Sequence, residues 1–398
     1  MPECLDKEAP PAKFDINEAV RQIRSRMKPR KSSPREYAAA WPEDDLLQVQ
    51  ESESLRVYAH HKGAQNAEQS ADCSCVVESG LDRLPDSIDS QTSKYVPVRA
   101  FVIILRTRGC FWALKSGCSM CGYINDSCAG EITGDDIMAQ FNSAMQRYKG
   151  EAIVKIFNSG SFFDEREIPR EIQHKILKEL SGKARKIAVE TRVEFVNEGA
   201  LREAKEAAAP AQLELGVGLE SANDVILERS INKRMKFDDF AAAATTARRL
   251  GALVKTYLLI KPPFLTEREA IDDCVESVRK AAPHTTTFSF NPMNVQNFTF
   301  VEHLWHRGEY RPPYLWSIVE ILSRAKLLTS ARLQCDPTGG GSRRGAHNCG
   351  KCDDAVLADI RRFSLTQNPK ALEGIMEIKC ECREEWKDLL DTERFRGF

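Results

Sequence analysis

Short apolar runs alternate with longer amphipathic stretches through the middle of this chain. The short runs are rich in β-branched residues and predict buried strands, whereas apolar residues that recur every three or four positions predict helices. We predict six strands, at Val98–Leu105, Ala152–Phe157, Lys186–Glu190, Leu213–Leu219, Val254–Ile260 and Thr287–Asn291. Helices are predicted near Asp135–Tyr148, Glu165–Leu180, Phe237–Leu250, Glu267–Ala281 and Tyr314–Leu328. The regular alternation implies right-handed crossovers and a parallel sheet.

Six such units favour an α/β fold, a partial (β/α)6 barrel over residues 98–330. In sheets of this kind the ligand-binding side chains follow the carboxyl ends of the strands. Residues that end or follow a predicted strand are therefore the first candidates for a functional site.

The two ends of the chain have other patterns. Residues 1–97 are predicted to be an N-terminal extension that contains a helix near Asp15–Lys28. The stretch near 50–93 is rich in Ser, Asp, Glu and Gln and predicts a flexible insertion. Residues 331–398 contain five cysteines but few continuous apolar runs, so we expect a small C-terminal module stapled by a metal.

The charge and cysteine content of the chain exclude some classes of function and favour others. Lys and Arg total 57 against 58 Asp and Glu, a net charge of -1, which excludes nucleic-acid binding by bulk charge alone. The basic run Arg21–Arg35 is either a phosphate-contacting patch or a solvated helix end. No apolar run is long enough to span a membrane and no signal core is visible, so we expect a cytoplasmic protein without membrane contact. The 13 cysteines, many in CxxC and CxC pairs, point to metal before disulfides.

Cys110, Cys118 and Cys121 follow the first predicted strand closely. Three thiolates in twelve residues can hold three irons of a [4Fe–4S] cluster, and the fourth iron then stays open for catalysis. The alternative is a zinc knuckle that takes Cys128 as a fourth ligand.

The triplet and several other motifs resemble one known family. A cysteine triplet after the first strand of such a barrel resembles the radical S-adenosylmethionine (SAM) superfamily, although the first gap here is seven residues instead of the usual three. The narrower resemblance is to the archaeal family RaSEA, the radical SAM component of archaeosine synthase. It rests on TRGC, CSMCGYINDS, YLLIKPPFLT, FNPMNVQ and RGEYRPP, and extends from about Phe14 to the C-terminus except for the 50–93 insertion.

This resemblance implies a partial (β/α)6 radical SAM barrel that modifies tRNA. The substrate would be a 7-deazaguanine in the tRNA D-loop to which a partner lysine-transferase subunit has attached lysine. A C–N lyase reaction would break the lysine carbon–nitrogen bond and leave archaeosine. It also implies a [4Fe–4S] cluster on Cys110, Cys118 and Cys121, SAM, and an electron donor.

Polar residues after the second, third and fourth strands are candidates for binding SAM. The stretch from Asn158 to Phe163 resembles the superfamily's glycine-rich motif, and its alternative is an ordinary turn. Arg192 has a guanidinium fork suited to the SAM carboxylate, and the carboxylates could accept hydrogen bonds from the ribose or amine. All of them could instead be partners in salt bridges at the barrel rim. The candidates are Asn158, Gly160, Ser161, Glu190, Arg192, Glu220 and Ser221.

Residues after the fifth and sixth strands are candidates for contacting the substrate. Amide side chains there can recognise base edges or an amino-acid group, although local turn capping is an alternative. The glycine-rich stretch 339–345 could bind a phosphate of RNA or be a plain flexible loop. The candidates are Lys261, Asn291, Asn294, Gln296, Arg343 and Arg344.

Two cysteine pairs bracket the C-terminal module. Cys349, Cys352, Cys380 and Cys382 have the pairing of a tetrahedral zinc site. Cys335 and His347 are alternative ligands, and four reduced thiols without metal are a further alternative.

Two other functions stay open at this point. One is a different radical SAM modification of tRNA, similar to the Elongator catalytic subunit or a methylthiotransferase, although no second cysteine triplet lies upstream as the latter would need. The other is a non-catalytic iron–sulfur or zinc protein that binds RNA.

Overall fold

The computed structural model describes residues 15–25, 34–35, 39–48 and 95–394. The predicted insertion near 50–93 and most of the basic run between Arg21 and Arg35 lie outside these residues. Among the helices of the described part, none is long and apolar enough to cross a membrane.

Eight strands form one curled sheet whose spatial order follows the chain. The strands are β1 (Ala39–Gln48), β2 (Tyr95–Ile104), β3 (Ile153–Phe157), β4 (Lys186–Thr191), β5 (Gln212–Glu220), β6 (Leu253–Ile260), β7 (Thr287–Pro292) and β8 (Arg332–Cys335). β1 pairs antiparallel with β2, and all other neighbours are parallel. The six predicted strands are confirmed as β2 to β7, and the sheet gains a strand at each edge.

Helices cover the outside of the sheet. In chain order they are α1 (Ile16–Arg24), α2 (Phe111–Lys115), α3 (Gly134–Met145), α4 (Arg170–Ser181), α5 (Glu198–Ala208), α6 (Asp224–Ile226), α7 (Phe237–Arg249), α8 (Glu267–Ala281), α9 (Phe300–His306), α10 (Leu315–Lys326), α11 (Asp353–Thr366), α12 (Lys370–Met376) and α13 (Glu381–Thr392). α8 begins at a capping box between Thr266 and Glu269, and Gly251 takes a φ of 79° just after α7. These two features define the start of α8 and the end of α7.

The predicted C-terminal module is attached to the barrel through β8. This short strand pairs with β7, so the sheet continues past residue 331. Val356, Ile360 and Phe363 of α11 are fully buried in the same apolar core as the barrel strands. The cysteine pairs therefore lie on a region that shares the core of the barrel.

Ion pairs close the amino-terminal end of the barrel. Asp45 of β1 is fully buried, and its carboxylate lies 2.5 Å from Lys155 of β3 and 2.5 Å from Arg332 of β8. The contact with Arg332 joins the two edges of the sheet without backbone pairing. Glu214 pairs with Lys186 at 3.1 Å and with Lys255 at 3.3 Å in the same region.

Candidate active site

The cysteine loop, residues 106–128, follows β2 at the carboxyl edge of the sheet. Cys110 immediately precedes α2, and Cys118 and Cys121 follow this helix. The backbone N–H of Cys121 donates to the Cys118 carbonyl oxygen at 3.3 Å. This hydrogen bond forms a tight turn between the second and third cysteines.

Two side chains anchor the loop to the segment after α6. The Ser119 N–H donates to the Ile231 carbonyl at 2.8 Å, and its hydroxyl donates to the Ser230 carbonyl at 2.7 Å. The indole N–H of buried Trp112 donates to the Asn232 carbonyl at 2.8 Å. These hydrogen bonds fix the backbone of the loop to residues 230–232. We call the opening at the carboxyl ends of the strands, which both segments border, the barrel mouth.

Burial raises the pKa of all three thiols. The thiols are also close enough for Cys118 to raise the pKa of Cys110, for Cys121 to raise that of Cys118, and for Cys110 to raise that of Cys121. Three buried thiols that disfavour one another's ionisation need a cation before they can become thiolates. Such an environment suits thiols that ionise when a metal binds.

The loop does not gather its sulfur atoms around one ion. Among the described residues, Cys128 does not join the triplet in a group whose ligand atoms lie within 4.8 Å of one another. The backbone N–H of Cys128 donates to the Thr107 carbonyl at 2.8 Å. The four thiols of the described loop are therefore not gathered as one tetrahedral zinc site requires, whereas the thiolates of a cluster each bind a different iron.

The N-terminal helix α1 packs on the outside of this loop. Arg24 Nη2 donates to the carbonyl oxygens of Cys121 at 2.6 Å and of Cys118 at 3.1 Å. The Ser116 hydroxyl donates to the Asn17 carbonyl at 3.2 Å. Helix α1 thus binds the backbone of the cysteine loop at the second and third cysteines.

Glu167 joins the cysteine loop to the glycine-rich motif. Its carboxylate accepts hydrogen bonds from the Thr107 hydroxyl at 2.7 Å, the Asn158 amide at 2.8 Å and the Ser161 N–H at 2.9 Å. Burial raises its pKa, and these donors oppose the rise. A Cβ at Gly160 would overlap the Glu167 carboxylate, so only glycine fits there. Sequence reasoning missed Glu167, which lies away from any strand end.

An ion pair and a second carboxyl group lie inside the barrel mouth. Lys233 Nζ is 2.8 Å from Glu220 Oε1, and both side chains are about nine-tenths buried. A Cβ at Gly218 would stand 2.7 Å from that Nζ, so the pair needs glycine beneath it. Burial raises the pKa of Glu190 to about 7, against a hydrogen bond from Tyr257 and the charge of Lys255, which lower it. Glu190 can therefore hold or release a proton near neutrality.

The backbone around this pair is strained. Glu220, Asn232 and Arg234 have positive φ angles of 69°, 58° and 57°. Left-handed conformations are costly for residues other than glycine and are concentrated at functional sites. Sequence reasoning missed Lys233, because it lies well beyond the end of β5, at no predicted strand end.

The other predicted SAM-binding residues already have protein partners. Arg192 donates through Nη2 and Nε to the two carboxylate oxygens of Glu194, at 2.7 and 3.1 Å, and also to the Lys233 carbonyl at 3.1 Å. Its charge still lowers the pKa of Cys110, so it lies near the triplet. The Ser221 hydroxyl donates to Asp273 of α8 at 2.7 Å. Ser221 is therefore directed towards a covering helix.

Lys261 does not join this group of residues. Its side chain is buried and pairs with Glu267 at 2.5 Å. The carbonyl of Lys261 accepts a hydrogen bond from Tyr310 at 2.7 Å. The pair with Glu267 ties the KPPF turn to α8, and Lys261 Nζ also lies 3.9 Å from Glu393. These two carboxylates account for the position of the side chain.

Gln296 lies directly on the cysteine loop. Its side-chain oxygen accepts a hydrogen bond of 2.5 Å from the N–H of Gly122, next to the last cysteine. Asn291 lies half-buried at the end of β7, where the Ser289 hydroxyl donates to it at 3.5 Å. Of the predicted substrate residues, Gln296 is the one joined to the cysteine loop.

The glycine-rich loop packs against the segment after β7. Arg344 donates to Glu302 at 2.6 Å, whereas the neighbouring Arg343 is exposed. A Cβ at Gly339 would lie 3.5 Å from Asn294. The two predicted arginines therefore differ, since Arg344 holds the loop in place and Arg343 faces solvent.

The four paired cysteines of the C-terminal region form a second site. The sulfur atoms of Cys349, Cys352, Cys380 and Cys382 all lie within 4.8 Å of one another. The separations are 3.5 Å from Cys349 to Cys380, 3.7 Å from Cys352 to Cys382 and 3.4 Å from Cys380 to Cys382. Four thiolates around one tetrahedral zinc ion at about 2.3 Å would stand about 3.8 Å apart.

The geometry groups the four paired cysteines and leaves the two alternative ligands outside the group. Cys335 lies in β8, where its N–H donates to the Ser364 hydroxyl oxygen at 2.9 Å, and it is outside the cluster. His347 is engaged with the Gly345 carbonyl at 2.8 Å and is also outside. Two further donors face the cluster, because the Asn348 amide lies 3.4 Å from the Cys352 sulfur and the Trp316 indole N–H lies 3.4 Å from the Cys382 sulfur. Such contacts stabilise thiolates.

Comparison with known proteins gives relatives along nearly the whole chain. The chain is 39% identical over 387 residues to archaeosine synthase subunit beta of Methanosarcina acetivorans, covering 96% of this chain and 98% of that protein. It is 40% identical over 304 residues to the protein of the same name from Thermococcus kodakarensis, covering 74% of this chain and 93% of the relative. No protein-family model matches the chain.

Solved structures show only distant similarity. The archaeal Elp3 of Methanocaldococcus infernus has a TM-score of 0.41 at 16% identity, covering 65% of this chain and 60% of that chain. The radical S-adenosylmethionine methyltransferase TsrM of Kitasatospora setae has a TM-score of 0.38 at 15% identity, covering 53% of this chain and 37% of that chain.

Proposed function

The chain belongs to the family of archaeosine synthase beta subunits, and from this premise we propose that it is a cytoplasmic radical SAM enzyme that modifies tRNA. Its reaction would be a C–N cleavage on a lysine adduct of a 7-deazaguanine base in the D-loop, which leaves archaeosine. The relatives are each named as one subunit, which supports a partner subunit. By the family resemblance, that partner would attach the lysine.

One observation carries this proposal: the cysteine triplet lies on the loop after β2, beside the charged groups of the barrel mouth. Cys110, Cys118 and Cys121 would hold a [4Fe–4S] cluster. When bound, the cluster and SAM supply a one-electron cleavage that yields methionine and a 5′-deoxyadenosyl radical. The protein positions the reacting groups and excludes water through the apolar side chains around the loop, among them Trp112 and Met293.

The charges in the mouth fit a ligand with an amino-acid group. SAM and a lysine adduct each carry an ammonium and a carboxylate. Glu190 and Glu220 could accept hydrogen bonds from an ammonium, and Lys233 and Arg192 could donate to a carboxylate. Glu167 positions Asn158, Gly160 and Ser161 next to the cysteine loop.

The side facing the tRNA would be formed by the loops after β7 and β8. Gln296 would orient substrate beside the cysteine loop, with Asn291 and Asn294 nearby. Exposed Arg343 would contact a phosphate, whereas Arg344 would hold its loop against Glu302.

The four-cysteine site would hold a structural zinc ion. Its sulfur separations suit one tetrahedral ion, and they are too short for thiolates on the four separate irons of a cluster. Cys349 and Cys352 precede α11, and Cys380 and Cys382 lie at the start of α13. The ion would thus join two helices that the chain places far apart in sequence.

The experiment compares anaerobically reconstituted wild-type protein with Cys118→Ser and, as a control, Cys128→Ser. We expect the wild type and Cys128→Ser to bind about four irons and to form 5′-deoxyadenosine from SAM. Cys118→Ser should lose both properties while its circular dichroism spectrum is kept. Full SAM cleavage by Cys118→Ser would reject the assignment of the triplet.

A further inference from the structure

A groove of about 870 Å³ opens beside the cysteine loop, bounded by α1, α2 and residues 124–132. Neither Glu190 nor Glu220 lines it. The groove shares the cysteine loop and Glu167 with the candidate active site, but the charged side chains inside the barrel mouth do not line it.

The groove is positively charged on a chain that is nearly neutral. Its cationic lining residues are Arg21, Arg24, Arg108, Lys115 and Arg166. Only two carboxyl groups line it, those of exposed Glu131 and buried Glu167. Arg21 pairs with Glu18 and Arg166 pairs with Asp164, whereas Arg108 and Lys115 are exposed. These two exposed cations leave a modest excess of positive charge in the groove of a chain with a net charge of -1, which favours an acidic partner.

The centre of the groove is apolar. Leu114 is 54% exposed, and Ala113, Ile124 and Ile132 line the surface around it. An exposed apolar centre with a charged rim is typical of a protein–protein interface. Among the described residues that line the groove, none is aromatic, so it offers no stacking surface for the bases of RNA.

Arg24 connects the groove with the cysteines. It lines the groove and donates to the carbonyl oxygens of both Cys118 and Cys121. A protein seated in the groove would therefore lie against the back of the cysteine loop. It could stay there while SAM and tRNA occupy the barrel mouth.

We propose that this groove is the docking site for a small acidic electron-carrier protein that reduces the centre held by the cysteine loop. This inference rests on the proposed function, since only a redox centre needs such a partner. The reduced carrier gives up one electron and the centre gains one, so no other reactant is required. The separation of the groove from the barrel mouth lets reduction proceed without displacing substrate.

The test reverses two exposed charges of the groove in Arg108→Glu/Lys115→Glu. The matched control, Lys175→Glu/Lys178→Glu, makes the same change in charge at exposed positions of α4, outside the groove. The probe is an acidic [4Fe–4S] ferredoxin, whose affinity for the reconstituted protein is measured by biolayer interferometry at several salt concentrations. SAM cleavage is then measured with reduced ferredoxin and, separately, with dithionite, a small reductant that needs no docking site.

We expect the groove variant to bind ferredoxin at least about tenfold more weakly than the control at low ionic strength, with the difference shrinking as salt rises. Its ferredoxin-driven SAM cleavage should fall, whereas its dithionite-driven cleavage should match wild type. Equal ferredoxin affinity in the groove and control variants, or no binding by wild type, would overturn the docking site. Loss of tRNA affinity with ferredoxin binding intact would make the groove an RNA site instead. A wild type that is inactive with dithionite would reject the proposed function, while the affinity measurement would still decide the docking site.

Discussion

Asp45→Asn tests how the two edges of the sheet are held together. The Asp45 carboxylate is fully buried between Lys155 and Arg332. The same region contains one other buried carboxylate, Glu214, which pairs with the cations Lys186 and Lys255. Removing the Asp45 carboxylate leaves four buried cations with a single buried carboxylate. Breaking a buried ion pair by removing one partner costs about 3–5 kcal/mol, and the excess of cations favours the upper part of that range.

Glu43→Gln is the matched control. Glu43 also pairs with Lys155, but its side chain is 30% exposed, so solvent can replace much of the lost interaction. We expect the control to cost at most about 1 kcal/mol. By thermal unfolding of the reconstituted protein, Asp45→Asn should lower the midpoint by about 5–10 °C and Glu43→Gln by only about 1–2 °C.

The same network gives a pH dependence with a definite sign. Burial alone would raise the pKa of Asp45, but Lys155 and Arg332 outweigh it and hold the pKa well below the usual value. The neighbouring lysines likewise overcome burial at Glu214 and lower its pKa to about 2. Stability from such groups is complete above their unfolded pKa and is lost as the pH falls, here from about 5 towards 2. If Asp45→Asn unfolded at the temperature of Glu43→Gln and kept the acid sensitivity of wild type, the role of this ion pair would be refuted.

Three further predictions concern the sites. Gly160→Ala should retain less iron after reconstitution, because the added Cβ would overlap Glu167 and stand 2.8 Å from the Cys110 Cα; an iron content equal to wild type would contradict this. Cys380→Ser should lose zinc and make the C-terminal region sensitive to limited proteolysis while the iron content stays unchanged, and a wild type without zinc by metal analysis would defeat the proposal. Arg343→Gln should weaken tRNA binding and reduce the slope of log affinity against log salt by about one, whereas an unchanged slope would mean that this arginine touches no phosphate.

The buried parallel strands were predictable because they are covered on both faces. Val98–Leu105 is apolar except for Arg99, and Val254–Ile260 is apolar apart from Lys255 and Thr256, which is close to the pattern of such strands. β1 was missed because its sequence contains Pro42 followed by three acidic residues. An edge strand tolerates proline, and the acidic Asp45 is neutralised only by cations from distant strands. β8 was missed because four residues carry too little pattern.

Strand ends and cysteine spacings predicted which residues belong to the site. They did not predict the hydrogen-bond and ion-pair partners of those residues. The two short cysteine spacings in the sequence pointed to the four paired cysteines as zinc ligands. Only the folded structure shows that Cys335 lies outside this group. Lys261 follows a strand as predicted, yet a tertiary ion pair with Glu267 holds its side chain. Glu167 lies in a loop whose contacts form only after folding, so spacing along the chain could not identify it.

The central claim is that this chain cleaves the lysine adduct on tRNA, and nucleoside mass analysis tests it most directly. Reconstituted enzyme, SAM and reductant are incubated anaerobically with tRNA that carries the lysine adduct on its 7-deazaguanine. The tRNA is then digested, and its nucleosides are identified by mass spectrometry. The account predicts that the adduct disappears and archaeosine appears, only when SAM is present and not with Cys118→Ser. An adduct that stays intact while SAM is cleaved to 5′-deoxyadenosine would contradict the account.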